Sequence, residues 1–241
     1  MTRILESNPG EALGSINTIR ESDPVRLSHR LRQDLLDQLE PGDLVCIPTG
    51  RSPELLYEII AEDRASTSLW RQLRFLQLDE YISPPGGTES FRSTLRRQVF
   101  EPLQIPDDQV FSIDPAADPE TEANRLDALF SQIGPPRAAI LGLGSNGHIA
   151  FNEPRDTPRS GYQVVELSQM TILDNFPQPV PEKVKAITIG LDQLRSAERV
   201  YLLVPQPEKS EILDRCLKAP YSSQLPGSIL HDHPDLHVYR S

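Results

Sequence analysis

The chain's densest chemistry lies between Gly142 and Pro154. Three glycines fall within six residues, Gly142, Gly144 and Gly147, and His148, Asn152 and Glu153 come directly after them. Histidine titrates near neutrality, with an ordinary pKa of about 6.5, so His148 can pass a proton to or from a substrate oxygen. A carboxylate five residues on, Glu153, can fix the imidazole tautomer and steady the imidazolium. Asn146 can orient the ring but brings no charge. The apolar run Ala138 to Leu143 just before reads as a buried strand. A strand that breaks into a glycine-rich turn and then presents titratable groups is how α/β proteins build a site at the carboxyl edge of a sheet.

The same run matches Gly142-x-Gly144-x-x-Gly147, the dinucleotide fingerprint by letter. A dinucleotide turn needs a long helix after its last glycine, to seat the pyrophosphate on the helix N-terminus. Here Pro154, Pro158 and Gly161 leave no room for such a helix. No G-x-x-x-x-G-K-[ST] occurs either, so neither a dinucleotide nor a nucleoside triphosphate is expected.

Three more segments have the composition of a site. Thr49-Gly50-Arg51-Ser52 comes after an apolar run and precedes a helical pattern opened by Pro53. Ser52 could cap that helix, and its free N–H groups suit an anion; the alternative is an ordinary helix cap. Asp79 and Glu80 come after Leu76-Gln77-Leu78, where a carboxylate beside an apolar wall has its pKa raised toward a useful general base, or else simply forms a turn. Lys209 stands at the start of a helical pattern, where the dipole disfavours a cation unless an anion shares the site; otherwise it is a surface lysine. His231-x-His233 with His237 lies on a loop and a strand with no cysteine beside it, so no metal site is expected.

These residues must be positioned by an alternation of strands and helices. Apolar runs predict strands over Leu44–Pro48, Arg74–Leu78, Arg137–Leu143, Gln163–Leu167, Ala186–Gly190, Arg199–Val204 and Leu236–Tyr239. Amphipathic patterns predict helices over Val25–Leu39, Pro53–Glu62, Ser90–Phe100, Pro119–Ile133, Leu191–Ala197 and Glu208–Lys218. Such alternation predicts a single-domain α/β fold over residues 1–241: a three-layer arrangement with a mainly parallel twisted sheet covered by helices on both faces. Strand-to-helix junctions of a parallel sheet open on one edge, so the segments around Thr49, Asp79, His148 and Lys209 can converge there.

Composition narrows the function classes. The 241 residues carry 24 Lys and Arg against 35 Asp and Glu, a net charge of −11, and Arg92, Arg96 and Arg97 form the only tight basic group. No cationic face for nucleic acid is supplied. No apolar run approaches the roughly 18 residues of a membrane span. The N-terminal Met1 to Ser7 has no secretory pattern, and the two cysteines suggest a reducing compartment, so a cytoplasmic location is expected.

Gly147-His-Ile-Ala-Phe-Asn-Glu-Pro154 resembles the signature of the glucosamine-6-phosphate deaminases, also called isomerases. Ile47-Pro48-Thr49-Gly50-Arg51-Ser52-Pro53, Leu78-Asp79-Glu80-Tyr81 and Ser228-x-Leu230-x-x-His233-Pro234 resemble further family segments, in the family's order. The related 6-phosphogluconolactonases share the glycine–histidine core but usually continue differently. The resemblance implies isomerisation and deamination of an amino-sugar 6-phosphate without a cofactor. Asp79 would move a proton between C1 and C2, while His148 and Glu153, with Asn146, would assist ring opening. Thr49, Gly50, Arg51, Ser52 and Lys209 would hold the phosphate. Rival readings are a lactonase and a non-catalytic sugar-phosphate sensor.

Two departures stand out. Asn146 occupies a position where many family members have aspartate, and Ser168 to Phe176 lacks the arginine that often contacts the sugar, leaving Arg155 or Arg159 to substitute. The chain ends soon after Tyr239, without the tail of the regulated hexameric forms, so a monomer or small homo-oligomer with simple kinetics is expected.

Overall fold

The central strands are apolar on both sides of the pleat, and this decides the architecture. The computed structural model describes residues 16–63, 65–84, 88–155, 160–177 and 179–241. In chain order its strands are β1 (Asn17–Arg20), β2 (Leu44–Ile47), β3 (Arg74–Gln77), β4 (Asp79–Ile82), β5 (Val110–Phe111), β6 (Ala138–Leu141), β7 (Gln163–Glu166), β8 (Lys185–Thr188), β9 (Arg199–Val204) and β10 (Leu236–Arg240). The helices are α1 (Pro24–Leu36), α2 (Glu54–Glu62), α3 (Thr67–Trp70), α4 (Phe91–Leu95), α5 (Glu101–Leu103), α6 (Pro119–Ile133), α7 (Gln169–Asn175), α8 (Leu191–Arg195) and α9 (Ser210–Lys218). A π-helical turn, Arg96–Phe100, joins α4 to α5.

Seven strands form a parallel sheet in the order β1-β10-β9-β6-β2-β3-β5. Alternate residues of β2 supply the two faces. Leu44 and Cys46 pack with Leu126 of α6, Leu194 of α8 and Leu213 of α9. Val45 and Ile47 pack with Leu31 of α1, Leu56 of α2 and Leu95 of α4. The expected parallel sheet with helices on both faces is what the chain builds.

β2 and β6 are neighbours, but the chain leaves them in opposite directions: β2 leads to β3 on one side, and β6 leads eventually to β9 on the other. Between their carboxyl ends the sheet has its topological switch point, where open α/β sheets form a crevice. The loops beginning at Pro48 and at Gly142 both emerge there.

One expectation needs correction. The apolar runs Gln163–Leu167 and Ala186–Gly190 do not enter the parallel sheet. Instead β7 and β8 join β4 in a separate three-stranded antiparallel sheet, in the order β4-β8-β7. β4 starts only one residue after β3, far too little chain for a parallel crossover, so it must leave the main sheet. Leu78 O accepts from Ile189 N at 2.8 Å and ties the two sheets together at that step. Beneath the small sheet Tyr81, Phe151, Val165, Ile172 and Phe176 form their own apolar cluster.

Candidate active site

The loop after β2 is shaped by one left-handed glycine and one buried phenol. Gly50 has φ +96°, a conformation that glycine adopts without strain. Tyr57 of α2 donates its Oη–H to Pro48 O at 2.5 Å, fastening the loop to the helix beyond it. Ser52, expected to cap that helix, does not. α2 begins at Glu54 behind Pro53, with no side-chain cap, and Ser52 Oγ pairs with the Gln206 side chain at 3.1–3.2 Å. The first-turn N–H groups of α2 are therefore left without a capping side chain, as an incoming anion requires.

After β6 the glycine run folds back on itself. Gly147 N donates to Gly144 O, and Gly144 N to His148 O, both at 2.9 Å, with Gly147 at φ +84°. The His148 ring lies directly against Gly144: a Cβ there would stand 2.1 Å from His148 Cε1. The dinucleotide reading fails on this geometry as well. The segment after Gly147 makes a tight Ile149–Asn152 bridge, where a dinucleotide site has its long helix.

Asn146 sits between the two groups expected to pair directly. Its Nδ2 donates to Glu153 Oε2 at 2.7 Å, and its Oδ1 lies 2.7 Å from His148 Nδ1. Glu153 Oε2 is 3.7 Å from that nitrogen. An ionised carboxylate only accepts, so the Asn146 amide must turn its NH₂ toward Glu153 and its oxygen toward the ring. That oxygen also only accepts, so Nδ1 carries the proton and Nε2 keeps the lone pair. Asn146, and not Glu153 directly, therefore sets the tautomer. Burial lowers the pKa of His148; the Glu153 charge opposes this and Lys209 adds to it. The ring is thus a neutral base. Asn146→Asp is expected to raise the His148 pKa by roughly one unit, because a negative charge would replace a neutral acceptor. An NMR titration of the imidazole reads this directly, and an unchanged titration with unchanged turnover would refute it.

Asp79 opens β4 and is buried, with 8% of its surface exposed. Burial, helped by the neighbouring Glu80 charge, pushes its carboxyl up to about 8. Lys209 lies just ahead of α9, in a short 3-10 turn over Pro207–Lys209, and donates from Nζ to Leu143 O at 2.6 Å. Burial and the nearby Arg51 charge lower its pKa. Exposed Arg51 and half-buried Lys209 bring two cations to the same place, a pairing that an anion would relieve.

Thr49, Gly50, Arg51, Ser52, Asp79, His148 and Lys209 all line one open cavity. Asn146 and Glu153 do not line it and stand behind His148. The cavity also takes Phe91, Asp174, Asn175 and Gln206, which the sequence reading passed over. Their signals were present. Ser90 accepts from Ser93 N at the start of α4, and Ser168 from Thr171 N at the start of α7, both recognisable N-caps. The stretch that lacks the family's arginine is α7, and it brings a carboxylate and an amide to the cavity. Arg155 bonds Gln163 Oε1 at 3.1 Å and lines a smaller hollow behind Glu153; Arg159 lies outside the described residues. His233 is fully buried with Nε2 on Ala197 O, and His237 pairs with Asp235, so both are engaged in holding the fold.

Comparison with known proteins places this geometry. The family profile described as "Glucosamine-6-phosphate isomerases/6-phosphogluconolactonase" matches residues 23–238. A glucosamine-6-phosphate deaminase of Lachnoclostridium phytofermentans is 32% identical over 212 residues, spanning 83% of this chain and 87% of that protein. One from Rhodopirellula baltica is 30% identical, spanning 93% and 94%. Among solved structures, a monomeric glucosamine-6-phosphate deaminase superposes with a TM-score of 0.85 at 27% identity, over 93% of this chain and 97% of that one. A 6-phosphogluconolactonase from Thermotoga maritima shares the fold, with a TM-score of 0.69 at 21% identity, over 93% and 98%.

Proposed function

The chain belongs to the family of glucosamine-6-phosphate isomerases and 6-phosphogluconolactonases, and from that premise we propose that it isomerises and deaminates an amino-sugar 6-phosphate, glucosamine 6-phosphate or its galacto epimer. The observation that carries this reading is the shared cavity: a carboxylic acid tuned to about 8 and a neutral histidine of fixed tautomer border the same space as two cations.

Arg51, Lys209, Ser52 and the open amides after Gly50 take the phosphate. A closed pyranose has no free carbonyl, so His148 acts first, with Nε2 receiving the C1 hydroxyl proton and returning a proton to the ring oxygen. Asp79 then removes the C2 proton from the open-chain aldose. The C–H electrons form a C1–C2 double bond, and the C1 carbonyl oxygen takes up a proton. Return of a proton to C1 leaves an imine at C2. Water adds to that carbon, ammonia departs, and a ketose 6-phosphate remains. No redox step occurs, and an α-amino aldose supplies its own route to the imine. A general acid–base pair of this kind supplies roughly 10²–10⁴-fold per group.

The whole chain acts as one isomerase/deaminase-like domain, without nucleic acid or membrane, in the cytoplasm. No helix among the described residues is long and apolar enough to cross a membrane. The likeness to a monomeric deaminase supports a monomer or small oligomer.

Purified protein is expected to release ammonia from glucosamine 6-phosphate or galactosamine 6-phosphate, and to leave 6-phosphogluconolactone at its background hydrolysis rate. Rapid lactone hydrolysis without ammonia would assign it to the other branch of the family. Phosphosugar binding with neither product would make it a sensor.

A further inference from the structure

Glu80 is among the most buried charges in the molecule, with 1% of its surface exposed, and no step of the proposed reaction uses it. Its Oε1 accepts from Tyr81 N and Phe91 N, both at 2.9 Å. Its Oε2 accepts from Arg92 N at 2.8 Å and Gln77 Nε2 at 3.2 Å. All four partners are donors. Only an ionised carboxylate accepts four such bonds, so the group is a fixed anion even though burial presses its pKa upward.

The partners come from three places: β3, β4 itself, and the first turn of α4. Phe91 lines the cavity and stacks in a cluster with Tyr81 at 4.5 Å and Phe151 at 5.8 Å between ring centroids. We propose that Glu80 is a positioning residue of the site: its carboxylate fastens β4 to the first turn of α4, holding Phe91 against the cavity, and it stands as a permanent negative charge beside Asp79. One side chain thereby shapes a wall of the substrate space and adds its charge to the burial of the base next to it. The inference rests on the deaminase reading for its assay.

The other titratable groups around Asp79 are Tyr81 on its own strand and side chains on other elements. Tyr57 of α2, Tyr81 of β4 and Tyr162 ahead of β7 feel its charge and are themselves held protonated by burial. Arg51, His148, Asp174 and Lys209 face it across the cavity. Thr188 of β8 pairs with Asp79 in the ladder and carries no charge. Among the groups adjoining Asp79 on its own strand, Glu80 is the one permanent anion.

The test compares kcat and KM across pH for ammonia release by the wild type, Glu80→Gln, Glu80→Asp and Phe91→Ala. Glu80→Gln removes the charge at nearly constant length and is expected to move the acid limb of the kcat profile down by at least about half a pH unit. Glu80→Asp keeps the charge but falls short of α4. It should keep the limb and raise KM by about fivefold, as Phe91→Ala does, since both disturb the same wall. Limbs and KM values that superpose on the wild type in the two Glu80 variants would overturn the proposal, as would an equal fall in kcat with no movement of limb or KM. Should Glu80→Gln fail to fold, the other two variants still decide, because an unaltered KM in either one refutes the wall. Failure of the wild type to release ammonia would instead overturn the deaminase reading. Calorimetric binding of the phosphosugar to Glu80→Asp and Phe91→Ala would then still test the wall.

Discussion

Asp79→Asn is expected to lower kcat by roughly 10³-fold and at the same time to make the protein more stable at pH 8. Both effects have one origin. The carboxyl sits in a buried position, receives no hydrogen bond from the described residues, and has Glu80 beside it, so its ionised form is disfavoured in the fold. A carboxyl titrating at about 8 in the folded chain and about 3.9 in the unfolded one favours folding fully below pH 4. That contribution is lost progressively as pH rises toward 8, since the native state holds the proton through this window while the unfolded state has released it. An amide cannot ionise, so the variant escapes the loss. Its melting temperature should exceed that of the wild type by at least about 4 °C at pH 8, with the gap closing toward pH 4. Thermal melts at the two pH values, beside an ammonia assay, measure both effects. An inactive variant that is no more stable would mean that Asp79 is not held in its strained ionisation state.

Gly144→Ala should reduce kcat by about 10²-fold or more while leaving KM for the phosphosugar nearly unchanged. The alanine methyl would occupy space 2.1 Å from His148 Cε1 and 2.4 Å from Nε2, less than any non-bonded contact allows. The ring must leave its place, and its 2.7 Å bond to Asn146 goes with it. Arg51 and Lys209 are untouched, so phosphate binding persists. The double variant Gly144→Ala/His148→Ala provides the check. With the ring gone the methyl has room, so the double variant should melt above Gly144→Ala and be no less active than His148→Ala. Additive losses in both quantities would show that Gly144 matters for some reason other than the ring.

Much of this arrangement is legible in the chain itself. The alternation of apolar and amphipathic runs carries the main sheet because its central strands β2, β6 and β9 are apolar on both faces. The polar, exposed edge strand β1 gives no such signal. The glycine run before His148 announces a turn under a side chain. β4 is not legible. Asp79-Glu80-Tyr81 reads as a polar turn, and its strand character comes from pairing with residues more than a hundred positions away, Asp79 with Thr188 and Tyr81 with Ala186. Asn146 reads as an orienting group, but its place between Glu153 and His148 depends on how the loop closes, which spacing does not encode. α7 carries a cap and only a short amphipathic pattern, so Asp174 and Asn175 go unassigned. Ser52 shows the opposite error: a good local cap is overruled by a partner, Gln206, on a distant loop.

The carboxyl and the imidazole that face the cavity come from different sheets. Asp79 belongs to the small antiparallel sheet, and His148 to the loop that leaves the large parallel one. The two halves of the site therefore answer to separate packing: Tyr81, Phe151 and Phe176 under the small sheet fix where Asp79 stands, and the glycine turn after β6 fixes His148. A change confined to the cluster under the small sheet would thus move Asp79 against a phosphate-binding loop and an imidazole that stay where they are.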